Sequence, residues 1–166
     1  MTAAPAAGFP VSFRENGILF SRAVQFGPAN RQESVKGPWK AAGGLEEAMI
    51  IRKETPADYE AVYELVKAAF AAAEHSDGRE HELVAALRKS GAFVPGLSLV
   101  AETDGILAGH ILFTEIRIGG RTALALAPLS VLPAYQRRGV GSALIAEGHR
   151  AARELRYPFS VVLGSE

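Results

Sequence analysis

The sequence lacks cysteine, net charge and any apolar run long enough to cross a membrane. Its 166 residues contain no cysteine, which excludes disulfide bonds, thiolate metal sites and a covalent cysteine acyl-enzyme. Lysine plus arginine balances aspartate plus glutamate at 18 each, so no basic face is available for sequence-independent nucleic-acid binding. The longest apolar run covers 123–132, and the N terminus has no basic leader. We therefore predict a cytoplasmic protein with no nucleic-acid partner and no membrane partner.

The composition divides the chain at Met49. Residues 1–48 are interrupted throughout by proline and glycine and show neither helical nor strand periodicity. We predict that they are a disordered extension or a mis-assigned start, in which Glu46-Glu47-Ala48 is a translated ribosome-binding sequence. Residues 49–166 then form one domain, for which an apolar content of 48% supplies a core.

From Met49 onward, hydrophobic periodicity predicts an α/β domain. A strand at Met49 runs into the helix-start signal Thr55-Pro56-Ala57-Asp58, and apolar residues then recur at helical spacing. Asp104-Gly105 and Gly119-Gly120 are hairpin signals, so we expect an antiparallel meander in which Pro128 disturbs the third strand. The predicted elements after the first strand are helices over 55–73 and around 83–87, strands over 97–103, 106–118 and 122–132, a glycine loop, a helix, and a strand over 159–163.

The glycine loop is Gln136-Arg137-Arg138-Gly139-Val140-Gly141. Its two glycines let the backbone approach a ligand, and the helix they open turns free N–H groups and the positive end of its dipole toward that ligand. The flanking arginines favour a phosphate-bearing ligand. No Walker loop occurs, and a dinucleotide fingerprint would need a glycine where Leu144 stands. A simple tight turn into a helix is the alternative without a ligand.

In this loop and in the order of its elements, the chain from Met49 to Leu163 resembles the GNAT superfamily of acetyl-CoA-dependent N-acetyltransferases. The loop of that family reads Gln/Arg-x-x-Gly-x-Gly/Ala, and the resemblance is strongest to small bacterial members of unassigned acceptor. It implies a mixed, mostly antiparallel sheet flanked by helices, with direct transfer of an acetyl group from acetyl-CoA to a primary amine. It also implies cofactor-binding residues: the backbone of Leu129, Ser130 and Val131 for the pantetheine arm, and Gln136, Arg137, Arg138, Gly139, Val140, Gly141 and Ser142 for the pyrophosphate.

The sequence departs from the family pattern at its C-terminal end. Family members continue with a fourth helix and two more strands, whereas this sequence ends at Glu166. In the family, the fourth helix carries a tyrosine that protonates the departing thiolate, and no residue here matches it. We therefore keep two expectations: an N-acetyltransferase, or a non-catalytic remnant or half-domain that binds CoA weakly or needs a completing chain. A homodimer also stays open.

A general base for such a transfer is expected near the open end of the strands. Glu115 lies in the strand beside the expected cofactor strand, and apolar neighbours there would raise its pKa by desolvation. A solvent-facing pair with Arg117 is the alternative. His110 is expected to be a semi-buried, hydrogen-bonded strand residue and His149 to face solvent.

A polar cluster separates the first two predicted helices, where the family's acceptor site forms. It comprises Glu74-His75-Ser76-Asp77 with Glu80 and His81. Such a cluster suggests acceptor binding or a metal site, but we favour a polar turn that caps the second helix over either. We predict acetyl-CoA as co-substrate, no metal, and a small-molecule or peptide amine whose identity the sequence does not give.

Overall fold

The computed structural model describes residues 49–71, 73 and 76–162, together with the backbone of three short strands nearer the N terminus. These are β1 (Phe13–Glu15), β2 (Ile18–Phe20) and β3 (Arg22–Gln25). The sequence predicts no regular element before Met49, and the structure differs at these strands, whose aromatic and β-branched residues favour extended backbone. The rest of 1–48 lies outside the described residues, so its interpretation as an extension or mis-assigned start stays a prediction.

The chain from Met49 folds as a sheet flanked by three helices. β3, β8, β7, β6, β5 and β4 are neighbours in that order, and every pair is antiparallel except β7 with β8. This confirms the predicted mixed, mostly antiparallel α/β fold. The elements are β4 (Met49–Lys53), α1 (Tyr59–Phe70), α2 (Glu80–Arg88), β5 (Phe93–Thr103), β6 (Ile106–Ile118), β7 (Arg121–Val131), α3 (Val140–Glu154) and β8 (Phe159–Val162).

The start of α1 is fixed by one carboxylate. Asp58 accepts hydrogen bonds from the Thr55 N–H and the Thr55 hydroxyl, each at 2.8 Å, at the end of a single 3-10 turn. Arg52 of β4 donates two further bonds of 2.8 Å to the same carboxylate. The guanidinium holds the pKa of Asp58 well below its usual range. The predicted helix start is therefore confirmed, and it is tied to the neighbouring strand.

Two tight turns set the register of the meander. Asp104 and Gly105 have φ of 52° and 76°, and Gly119 and Gly120 have φ of 54° and 79°. Positive φ at both central residues is the geometry of a type I′ hairpin, whose twist matches that of the paired strands. The meander predicted from these dipeptides is confirmed.

The helices cover opposite faces of the sheet. Buried side chains of α1 and α2 pack with Val100 and Leu112, whereas buried side chains of α3 pack with Phe113 on the other face. At Gly148 of α3 a Cβ would lie only 2.4 Å from Phe113 Cε2, so this glycine allows the helix to approach β6. The predicted buried face of α3 is correct at Leu144, Gly148 and Ala151, but Leu155 is 50% exposed because the helix ends at Glu154.

Candidate functional site

The disturbance predicted at Pro128 is present as a register shift between β6 and β7. The β6–β7 register shifts between the pairs Phe113↔Leu126 and Ile111↔Leu129. On its other side, β7 pairs with β8 only from Leu124 to Leu126. In the described part of the chain, the end of β7 after Leu126 therefore has a neighbouring strand on one side only. We call this stretch, residues 127–131, the open edge of β7.

The ladder decides which backbone groups face this open edge. The Leu132 N–H donates to the Ala108 carbonyl at 2.9 Å, and bonding sides alternate along an antiparallel pair. Ser130, which pairs with His110, therefore directs its backbone toward β6, whereas Leu129 and Val131 direct theirs outward. The side-chain amide of Gln136 donates to the Val131 carbonyl at 3.1 Å. The expectation that the Ser130 backbone is available to a ligand is thus corrected, because the ladder already uses it.

The glycine loop has the backbone of an anion cradle. Arg137 and Gly139 both have left-handed backbone, with φ of 59° and 81°, and α3 begins immediately afterwards. The first helical bond runs from the Ala143 N–H to the Gly139 carbonyl at 3.0 Å. The N–H groups of Val140, Gly141 and Ser142 consequently have no carbonyl one turn earlier to bind. The loop therefore offers free amides at the positive end of a helix of 15 residues.

The loop and the open edge are adjacent. A Cβ on Gly141 would lie 3.6 Å from both Leu129 Cδ2 and Val131 Cγ2. Arg137 and Arg138 are exposed beside the loop, and the Arg138 guanidinium carbon lies 5.6 Å from the centre of the Tyr135 ring. The structure thus brings together the two groups of residues that the sequence assigns to a CoA-type ligand. Strand amides lie on one side of this place, and helix-terminal amides with two cations lie on the other.

Glu115 does not have the surroundings expected of it. Its side chain is exposed and accepts a hydrogen bond from the Tyr157 hydroxyl, while Arg117 donates to the Gly120 carbonyl instead of pairing with it. Burial, with this hydrogen bond, raises the pKa of Tyr157 to about 12. Glu115 lies opposite Leu124, five residues or about 16 Å along β7 from Leu129. The expected desolvation of Glu115 is therefore wrong, since the sheet reaches solvent near the hairpin.

Other polar residues singled out in the sequence also have surroundings that differ from those expected. His149 is half-buried rather than solvent-facing: its Nε2 lies 3.2 Å from Ser160 Oγ, and burial lowers its pKa to about 4. His81 is buried against the Tyr63 ring, with centroids 4.5 Å apart. Glu74 and His75 of the polar cluster lie outside the described residues. Among the residues that are described, no cluster of histidine, aspartate and glutamate has an arrangement that could hold a metal.

A buried polar network lies on β5 and β6, on the face covered by α1 and α2. Glu54 forms an ion pair with Arg88, and these side chains are only 1% and 7% exposed. Ser98 donates to Glu54 at 2.6 Å and lies 3.1 Å from Nε2 of His110, which is fully buried. Sequence reasoning missed Glu54, Arg88 and Ser98. One signal was present, because Arg88 follows the apolar Val84 by four residues and so shares its buried helix face.

Comparison with known proteins adds a family and its relatives. A family model described as the acetyltransferase (GNAT) family matches residues 59–163. The uncharacterized N-acetyltransferase YjhQ of Escherichia coli K12 is 40% identical over 90 residues, which are 52% of this chain and 50% of YjhQ. YhbS of the same strain, also an uncharacterized N-acetyltransferase, is 30% identical over 118 residues, 70% of this chain and 67% of YhbS. The chain thus spans half the length of YjhQ and about two thirds of YhbS.

Solved structures share the fold. A GNAT family acetyltransferase from Brucella melitensis, in complex with acetyl-CoA, superposes with a TM-score of 0.67 and 41% identity over 72% of this chain and 78% of its own. The YhbS structure from Escherichia coli, in complex with CoA, gives a TM-score of 0.63 and 29% identity over 71% and 63%. The aminoglycoside acetyltransferase AAC(6′)-Iy, at 22% identity, a TM-score of 0.54 and coverage of 71% and 80%, shows the fold alone. None of the helices in the described ranges is long and apolar enough to cross a membrane.

Proposed function

Because this chain belongs to the acetyltransferase (GNAT) family, we propose that it transfers an acetyl group from acetyl-CoA to a primary amine by direct transfer. The observation that carries the proposal is the contact between the glycine loop and the open edge of β7. Neither half alone points to CoA, since a loop of this kind also opens ordinary helices and strands also end at open edges. Their juxtaposition provides amides for a long ligand that has an anionic end and an amide-bearing arm.

The donor site is assigned residue by residue. The free N–H groups of Val140, Gly141 and Ser142, with the exposed cations Arg137 and Arg138, would hold the pyrophosphate. The outward N–H groups of Leu129 and Val131 and the outward C=O of Leu129 would pair with the pantetheine arm as an added strand does. The side chain of Gln136, which donates to Val131, joins these two parts.

The same edge supplies the chemistry. When a neutral amine attacks the thioester carbon, a C–N bond forms, the carbonyl oxygen gains negative charge, and the CoA thiolate then leaves with the C–S electron pair. An outward amide of Leu129 or Val131 would donate to that oxygen, and such a donor is placed before the reaction begins. The proton lost by the amine passes to water or to a base that the structure does not identify.

The acceptor is proposed only as a class, a small-molecule or peptide primary amine. One fold supports many acceptors, so resemblance ends at the acetyl donor. The aminoglycoside acetyltransferase of the same fold suggests a first probe. A suitable panel contains kanamycin, spermidine, glucosamine, lysine and a peptide with a free N terminus, with thiol release from acetyl-CoA as the readout.

The donor site is tested by thermal denaturation of the full chain with and without CoA. At 100 times its dissociation constant, CoA should stabilise the protein by about 2.7 kcal/mol, or about 5–10 °C for a chain of this size. Gly139→Ala should abolish most of this shift, because it distorts a loop residue whose φ is 81°. Gly120→Ala is the matched control: it places alanine at a similar φ of 79° in the hairpin before β7, at the opposite end of that strand from the loop.

The outcomes separate the candidate functions. A CoA shift that Gly139→Ala loses and Gly120→Ala keeps supports the donor site, and thiol release with any amine supports the acetyltransferase. A shift without turnover favours the non-catalytic half-domain. If CoA produces no shift at saturating concentration, the assignment of the glycine loop is wrong.

A further inference from the structure

The buried network ends at His110, and one further buried polar atom lies on the neighbouring strand β7. Nδ1 of His110 and Oγ of Ser130 are buried and have no hydrogen-bond partner among the described residues, and the two residues lie directly opposite each other in the β6–β7 ladder. Opposite residues of an antiparallel pair place their side chains on the same face, with Cβ atoms about 5 Å apart. The two unpaired atoms therefore belong to side chains on one face of the sheet, at paired positions of neighbouring strands.

The network determines the protonation of His110. Glu54 is paired with Arg88 and acts as an acceptor, so the single hydrogen of the Ser98 hydroxyl is donated to it. Nε2 of His110, 3.1 Å from Ser98 Oγ, must then be the donor in that contact. Burial lowers the pKa of His110 to about 3, so the ring is neutral and carries only this one hydrogen. Nδ1 is consequently an acceptor with no hydrogen of its own, and a water that bridges it to the Ser130 hydroxyl would donate the hydrogen it accepts.

Ser130 lies in β7 between the two residues whose amides face the open edge. The residues on either side of it, Leu129 and Val131, present the outward amides of the open edge and pack on the α3 face. The Ser130 side chain alternates to the opposite face, where Leu132 also packs. A hydrogen bond to the Ser130 hydroxyl would therefore fix the strand between the two residues whose amides face the ligand.

We propose that His110 and Ser130 are a positioning pair for acyl transfer: Nδ1 of His110 holds the Ser130 hydroxyl through one bridging water, and so fixes the outward amides of Leu129 and Val131. The proposal rests on the proposed acetyl transfer. Neither side chain touches the substrate, because both are 1% exposed or less. The imidazole is oriented at its other nitrogen, Nε2, by Ser98, which is held in turn by Glu54 and Arg88.

Kinetics and nitrogen NMR test the pair. Two variants remove the contact: Ser130→Ala, and His110→Gln, whose glutamine keeps a donor near the position of Nε2. Each should lower kcat about tenfold and change KM for acetyl-CoA less than twofold. The reason is that the placement of the amides matters most in the transition state. The double variant should be no slower than either single variant, because both remove one contact. Ser160→Ala, at an equally buried serine of β8, should leave kcat unchanged.

In ¹⁵N spectra, His110 Nδ1 should have no hydrogen, and Ser130→Ala but not Ser160→Ala should shift its signal.

The proposal fails if Nδ1 carries the hydrogen, if the two substitutions act additively, or if Ser160→Ala is as slow as Ser130→Ala. The NMR result decides the contact even where His110→Gln does not fold or no amine is turned over. A wild-type protein that neither binds CoA nor releases thiol instead refutes the proposed acetyl transfer, and it does so independently of the His110 signal.

Discussion

The Glu54–Arg88 ion pair gives the sharpest test of how this fold is held together. It joins the end of β4 to the last turn of α2, and its side chains are 1% and 7% exposed. The Arg88 guanidinium also lies 4.2 Å above the centre of the Tyr59 ring, which confines it further. Glu54→Gln keeps the shape of the side chain but leaves a positive charge buried without its partner. Breaking a buried pair in this way should cost about 3–5 kcal/mol, a large part of a typical folding free energy of about 5–15 kcal/mol.

Urea denaturation at pH 7 measures this loss. Arg88→Met should cost a similar amount, because it leaves the carboxylate buried without its cation, with only the hydrogen bond from Ser98. The double variant Glu54→Gln/Arg88→Met should lose clearly less than the sum of the two, since no charge then remains in the interior. Glu82→Gln, in the exposed pair with Arg79, is the control and should have no measurable effect. Losses equal to that control, or strictly additive losses, would refute this account of the buried pair.

Three further predictions concern single positions. Asp58→Asn should destabilise the protein by about 1–3 kcal/mol at pH 7; because the folded pKa of Asp58 lies below 3.8, urea midpoints should show the difference in full above that value and a shrinking one as the pH falls. Gly148→Ala should cost about 1–3 kcal/mol in the same assay, since its Cβ would overlap Phe113, and a stabilised variant would contradict the packing. Glu115→Gln should leave kcat within about twofold, and a loss of a hundredfold would restore its candidacy as the base.

Local patterns predicted most of the fold because local chemistry sets most of it. The dipeptides Asp104-Gly105 and Gly119-Gly120 need no distant partner to form a turn, and they place both hairpins where the structure has them. The helix start at Asp58 likewise depends on residues within one turn, although its second partner, Arg52, comes from the preceding strand. The disturbed strand pairing at Pro128 follows from the missing N–H of proline, so the sequence alone also predicts it.

Local sequence patterns could not predict the buried network of Glu54, Arg88, Ser98 and His110. Its members come from a strand end, a helix and two further strands, so their proximity depends on the folded sheet. A glutamate, an arginine and a histidine far apart in sequence look like separate surface charges until the register is known. The wrong expectation for Glu115 has the same origin, because apolar neighbours along a strand do not show where the sheet reaches solvent.

The glycine loop and the buried network both reach the open edge of β7 because successive side chains of a strand point to opposite faces of the sheet. At the open edge of β7, Leu129 and Val131 face α3 and the glycine loop, whereas Ser130 faces the network under α1 and α2. Substitutions in the loop change what holds the donor, so they should raise KM for acetyl-CoA. Substitutions in the network change only how firmly the outward amides are placed, so they should lower kcat at nearly constant KM. If Gly139→Ala and Ser130→Ala alter the same kinetic constant, the two faces of β7 do not have the separate roles that the alternation assigns to them.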